Sequence, residues 1–124
     1  MSDNNPVVWT EIYVQQLERA KAFYEEVLQV RLENIGDMNM EYWVFPADPG
    51  RHGAGGALVK NEQVTPGKGG TLVYFDCEDC AVAAGRAVTA GGSIHTEKMA
   101  IGEHGFISLV HDTEGNLIGL HSMQ

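Results

Sequence analysis

The 124-residue chain is 44% hydrophobic, 20% charged and 8% aromatic, the composition of one compact domain around a single core. Eight basic residues against 17 acidic give a net charge of −9 with the histidines neutral, which argues against partners held through phosphate backbones or anionic membranes, so neither nucleic acid nor membrane is expected. No apolar run approaches the roughly 20 residues of a membrane span, and Met1-Ser2-Asp3-Asn4-Asn5 lacks the basic and apolar regions of a secretory signal, so the expected compartment is the cytoplasm.

Residues 7–14 (VVWTEIYV) alternate a Trp9/Glu11/Tyr13 face with a Val8/Thr10/Ile12/Val14 face, the period of a strand. Residues 17–28 place Leu17, Ala20, Phe23/Tyr24 and Val27/Leu28 on one stripe with Glu18, Lys21, Glu25 and Glu26 outside it, an amphipathic helix. Three strands follow at 30–35, 40–45 and 57–60, the last after a glycine-rich stretch at 50–56 that reads as a mobile loop. A polar Gly/Pro linker occupies 61–70. The order then begins again: a strand at 71–76, a helix at 79–90 closed by Gly91-Gly92, and strands at 93–96, 106–111 and 117–122. Setting Val14-Gln15-Gln16-Leu17 on Cys77-Glu78-Asp79-Cys80, 63 positions later, also pairs Ala20 with Ala83 and Gly56 with Gly119. Residue identity between the halves is thin, so the repeat rests on the matching order of elements. A βαβββ half of about 60 residues buries too little surface to stand alone, so the two are expected to complete one core, together or with a second chain. Two curved sheets facing one another leave a concavity for a small ligand.

Trp9-Thr10-Glu11 through Leu17-Glu18-Arg19-Ala20-Lys21-Ala22-Phe23-Tyr24 resembles the opening of vicinal oxygen chelate proteins, the superfamily of glyoxalase I, extradiol dioxygenases and bleomycin resistance proteins. Val73-Tyr74-Phe75-Asp76, the helix ending Ala90-Gly91-Gly92, and His111-Asp112-Thr113-Glu114-Gly115-Asn116-Leu117-Ile118-Gly119-Leu120 are similar to its second strand, helix and closing D-P-E-G-N-x-x-x-L hairpin, with Thr113 where proline is common. The resemblance implies an α+β fold of tandem βαβββ modules forming two facing curved mixed sheets with a cleft. It further implies one domain over 1–124 (modules at 7–60 and 71–123) and a homodimer.

Metalloenzymes of the superfamily hold a divalent ion with His, Glu or Gln at four inward strand positions, which this resemblance carries onto Trp9, about Leu58, Leu72 and Gly119. None is a metal donor, so no cofactor is expected, and a divalent metal only through a displaced site. If Trp9 and Gly119 face the cleft, strand alternation brings Glu11, Tyr13 and His121 there too, and Tyr74 and Asp76 follow from Leu72. Trp9, Tyr13, Leu72, Tyr74, Asp76 and Gly119 are thus the candidate ligand-binding residues. Glu11 and His121 are the candidate acid/base pair, the bland alternative being that they only hydrogen-bond each other or water at the cleft edge. The leading expectation is a small-molecule binding protein of this superfamily; the alternative is a glyoxalase I-like lyase using Glu11 and His121.

Other features read blandly. Cys77 and Cys80 have C-x-x-C spacing at a strand-to-helix junction but stand where the family pattern has apolar residues, so packing is expected rather than redox chemistry. The 50–56 stretch has neither G-x-G-x-x-G nor a P-loop lysine and is at most a lid beside the cleft. His52, His95 and His104 lack i, i+4 partners and read as surface or structural residues, His104 in a turn near the pocket rim. The acidic balance serves solvation and, more sharply, steers a cationic ligand towards the stacking faces of Trp9, Tyr13, Trp43 and Tyr74.

Overall fold

The computed structural model describes residues 7, 9–36, 41–48, 50–62, 64–67, 69 and 71–124. Among the described residues two α-helices and eight strands follow in the order β1 (Trp9–Tyr13), α1 (Leu17–Leu28), β2 (Glu33–Asn34), β3 (Tyr42–Val44), β4 (Gly55–Val59), β5 (Tyr74–Asp76), α2 (Cys80–Thr89), β6 (Ser93–Ala100), β7 (Phe106–His111) and β8 (Leu117–Ser122). They form two mixed four-stranded sheets, β1-β4-β3-β2 and β5-β8-β7-β6. In each the first strand of the module lies parallel to the last, and the remaining pairings are antiparallel. This is the expected pair of βαβββ modules.

The two helices carry the core. Ala20, Phe23, Tyr24 and Val27 of α1 and Cys80, Ala83, Ala84 and Ala87 of α2 are buried in one cluster with Ile12, Leu58, Val110, Ile118 and Leu120 from both sheets. A single shared core explains why neither half needs to be stable by itself. Its centre is aromatic: Tyr24 meets Phe23 edge-on at 5.0 Å between centroids and Phe45 at 5.8 Å, and Phe45 meets Phe75 at 5.6 Å across the modules.

Several strand limits differ from the sequence pattern. The predicted strand at 30–35 is only Glu33–Asn34, because Gln29 ends α1 in the left-handed region and the Leu32 N–H is drawn to the Glu25 carboxylate rather than to a ladder. The strand predicted at 40–45 is seen as Tyr42–Val44, Met40 lying outside the described residues. The strand predicted at 57–60 begins earlier, at Gly55, so the end of the stretch read as a loop belongs to β4. Gly56 is needed there, since a Cβ would collide with the Thr10 carbonyl of neighbouring β1. The strand expected at 93–96 runs on to Ala100 by accommodating two register shifts against β7.

The closing hairpin ties the modules together. Asp112 accepts the Tyr24 hydroxyl at 2.7 Å and the backbone N–H groups of Glu114 and Asn116 at 2.8 Å each. Asn116 donates to the Tyr13 carbonyl, at the end of β1, and accepts from the Gly67 N–H. Glu114 accepts the N–H groups of Gln15 and Gln16, both at 3.0 Å, and binds Arg19 through Nε at 2.7 Å and a second nitrogen at 3.0 Å. Gln16, the N-cap residue of α1, makes no side-chain capping bond, and the Glu114 carboxylate from the other module serves that end of the helix instead. Burial works against the charged carboxylate, but Arg19, the Gln16 N–H, the Thr113 hydroxyl and the Gln15 N–H outweigh it and hold Glu114 at about 2.

Candidate functional site

β1 and β5 are edge strands of their sheets. Between them lies a cavity of about 770 Å³ lined by both, from Trp9 to Ile12 on one side and from Thr71 to Asp76 on the other. Residues of both faces of each strand line it. Phe45, Phe75 and Leu28 form its inner wall next to the core, and Trp9, Glu11, Tyr74 and Asp76 stand towards the outside. Its volume lies within the range of small-molecule sites.

Each module sets an aromatic ring across a glycine. Trp9 is the Cα partner of Gly55, and a Cβ at Gly55 would sit 3.3 Å from the indole. Tyr74 is the partner of Gly119, where a Cβ would collide with the phenol ring. Both rings remain half in solvent, at 46% and 47% exposure. Glu11 organises the first module's outer surface: one carboxylate oxygen accepts the Trp9 indole N–H at 3.1 Å and the other the Tyr13 hydroxyl at 2.8 Å. That hydrogen bond, with a smaller contribution from burial, raises the Tyr13 phenol above its ordinary value.

Of the residues singled out from sequence, Trp9, Glu11, Leu72, Tyr74 and Asp76 line the cavity. Tyr13 stands behind Glu11, Gly119 is covered by Tyr74, and His121 lies one strand further in, beside Asp76 in the β5–β8 register. The His121 imidazole bonds through Nε2 to the His104 carbonyl at 2.6 Å, so Glu11 and His121 are engaged separately and not with each other. Trp43 packs against the core, with the Lys21 ammonium 5.0 Å from its ring centre, and does not line the cavity. Phe45, Pro46 and Gly55 do line it and were missed by alternation along β1 and β5, since they come from β4 and the chain before it. The glycine pair in β4 was the available signal, because two glycines beside an aromatic strand mark a close approach.

The four positions of the superfamily's metal site do not fit an ion. Leu58 is fully buried in the core, facing away from the cavity, and Leu72 offers only carbon. Trp9 is held by Glu11 and Gly119 lies beneath the Tyr74 ring. Among the described residues no group of three or more His, Cys, Asp or Glu is placed to hold a metal. The cysteines are free; Cys80 is buried in the core, and burial, then the neighbouring Cys80 and Asp76, pushes the Cys77 thiol up to about 11, the opposite of an activated thiolate.

Paired βαβββ modules with a cavity between their first strands define the class, and the sequence agrees. The family profile described as Glyoxalase/Bleomycin resistance protein/Dioxygenase superfamily matches residues 7–120, and the chain belongs to that superfamily. No curated protein sequence gives a match. Among solved structures, a glyoxalase-related enzyme from Fulvimarina pelagi is similar at TM-score 0.70 and 17% identity, over 96% of this chain and 88% of that one. A glyoxalase/bleomycin resistance protein/dioxygenase family enzyme from Burkholderia phytofirmans PsJN is similar at 0.69 and 16%, over 94% and 97%. A glyoxalase I mutant from Zea mays is similar at 0.71 and 20%, over 94% of this chain and 46% of that one. At these identities the likeness shows the fold. None of the described helices is long and apolar enough to cross a membrane.

Proposed function

We propose that this chain binds a small, planar, cationic molecule in the cavity between β1 and β5. The observation that carries the reading is the pairing of half-exposed rings with carboxylates at the cavity mouth: Trp9 beside Glu11, and Tyr74 beside Asp76. Aromatic faces attract cations by about 0.5–2 kcal/mol each, more as water is excluded, and the carboxylates add charge complementarity. The net charge of −9 favours the approach of such a ligand. Seating each ring on a glycine keeps it flat against its sheet, so that a planar guest meets a prepared surface. The half-exposed apolar surface around Trp9 and Tyr74 also supports our expectation of a homodimer, which sedimentation at micromolar concentration tests.

A lyase of the glyoxalase I type is the second reading, favoured by cavity-lining Asp76 having His121 as its register partner on the neighbouring strand β8. Titration of planar cationic and neutral dyes, read by tryptophan fluorescence, decides the first reading. Saturable binding of the cationic members, weakened about tenfold or more in Trp9→Ala and in Glu11→Gln, is expected. Equal binding of neutral and cationic dyes, or binding indifferent to both variants, overturns it. Turnover of a hemithioacetal abolished by His121→Ala would instead establish the lyase.

A further inference from the structure

The second sheet carries a pair of imidazoles that the cavity does not use. Ile94 of β6 is paired with Val110 of β7, and Thr96 with Leu109, so His95 is the extra residue of a bulge. A bulge re-aims the side chain it carries. Here it brings His95 against His111 of the neighbouring strand, the two rings meeting edge to face with centroids 5.6 Å apart. Each ring is held through the same nitrogen by a hydroxyl: His95 Nδ1 by Thr96 Oγ1 at 2.8 Å, and His111 Nδ1 by Ser93 Oγ at 3.4 Å. Neither Nε2 has a hydrogen-bond partner among the described residues.

We propose that His95 and His111 form a two-imidazole site for a borderline divalent transition-metal ion, with Cu²⁺ held most tightly and Ni²⁺ and Zn²⁺ less so. Imidazole nitrogen is a good donor to these ions, and their order follows from the general ranking of divalent affinities. Metal–nitrogen bonds of about 2.0–2.1 Å put two ring centroids about 5 Å apart at a tetrahedral angle and about 4.5 Å apart at the right angle that Cu²⁺ prefers, so the observed 5.6 Å closes by rotation of the exposed His95 ring. The hydroxyls on Nδ1 play the part that outer partners play in metal sites: by accepting from Nδ1–H they favour the tautomer that leaves Nε2 to the ion. Water completes the coordination, since among the described residues no third His, Cys, Asp or Glu joins the pair. The site lies on the edge strand β6 and its neighbour β7, at the opposite side of the sheet from cavity-lining β5, and is independent of the small-molecule reading. An ion there ties the edge strand to its neighbour.

The test is titration of the untagged full chain with Cu²⁺, followed by calorimetry and by electron paramagnetic resonance. One equivalent bound with hyperfine structure from two nitrogens, an affinity at least about tenfold lower in His95→Ala and in His111→Ala, and no change in His52→Ala, is expected. A rise in Tm with bound Cu²⁺, absent in both variants, reports the tie between strands. Binding that survives in the double variant, or one-nitrogen hyperfine structure, overturns the assignment. Selective paramagnetic broadening of the His95 and His111 ring protons gives the same answer in the unaltered protein; broadening confined to other histidines overturns it.

Discussion

At its C-terminal end β1 runs into charged and amide groups that are all satisfied: the Tyr13 carbonyl, the Gln15 and Gln16 N–H groups and Arg19 each meet Asn116 or Glu114 of the other module. At its N-terminal end the same strand borders a cavity, where Trp9 stands half in solvent and the nearest strand of the other module offers Tyr74 and Asp76. The first arrangement holds the modules together and the second leaves a cavity between them. Among the described residues no buried side-chain polar atom lacks a partner, so the hairpin network is complete, and a complete buried network specifies geometry. The comparison explains why a closing motif diagnostic of the fold says nothing of the reaction: its side chains are consumed by the joint.

The joint is where the largest effects are expected. Glu114→Ala leaves two backbone donors and a guanidinium without their acceptor at a fully buried position, and should cost about 3–5 kcal/mol in urea unfolding. Arg19 is 43% exposed, so Arg19→Ala, which leaves water to solvate what it vacates, should cost much less than Glu114→Ala. Asp112→Ala strands the buried Tyr24 hydroxyl and belongs with Glu114. If Glu114→Ala unfolded no more easily than Arg19→Ala, the clamp would be an ordinary surface pair and the contrast between the two ends of β1 would collapse.

The same carboxylate predicts acid lability. Glu114 is held at about 2 against an ordinary value of 4.5, so the unfolded chain takes up its proton first as pH falls. Its contribution is complete above pH 4.5 and is lost between about 4.5 and 2. Asp79, lowered by Lys98 and by the Ala81 N–H at the start of α2, and Glu25, lowered by the Leu32 N–H against the opposing effect of burial, change in the same sense. Both are more exposed than Glu114 and should matter less. Urea titrations from pH 7 to 2.5 should show a fall in stability that Glu114→Gln flattens; a parallel fall in that variant would assign the acid step elsewhere.

An intermediate effect is expected at the glycine seats. Gly119→Ala drives a methyl into the Tyr74 ring, and either the ring swings away or β8 shifts, at about 1–3 kcal/mol. The cavity then loses one of its walls, so ligand affinity should fall further than stability does. A variant of native stability with an unaltered binding isotherm would show that the Tyr74 seat is not part of the site.

How much of this was legible depended on the range of the interaction. Helix α1 and the hairpin strands Phe106–His111 and Leu117–Ser122 follow from local periodicity, and the structure has them where the pattern put them. Glu33–Asn34 does not, because a bond from the Leu32 N–H back to the Glu25 side chain of α1, invisible to periodicity, overrides strand propensity around it. At the site, alternation put Trp9 with Glu11 and Tyr74 with Asp76 on one face of their strands; all four line the cavity, but so do Thr10, Ile12, Val73 and Phe75 between and beside them, which a period of two does not anticipate. It could not separate Tyr13 and His121 from the cavity, because both are drawn off by partners, Glu11 and the His104 carbonyl, whose positions depend on tertiary placement. The role of Gly55 was hidden for the same reason: only the register with Trp9 shows what the missing Cβ makes room for.

The smallest effect on stability and the most telling one for function should come from Trp9→Ala. A ring half in solvent, resting on a glycine and bonded to a carboxylate at the surface, keeps about half its area in water, and its removal should cost less stability than loss of a core ring. A residue retained for packing would show the reverse pattern, as truncation of fully buried Tyr24 should, with a loss of about 3–5 kcal/mol. Affinity for a planar cation falling about tenfold while the urea midpoint stays in place would show that the N-terminal end of β1 is kept for what it binds. A midpoint that falls with the affinity would make Trp9 part of the wall that holds the modules apart, and the two ends of β1 would then differ in degree only.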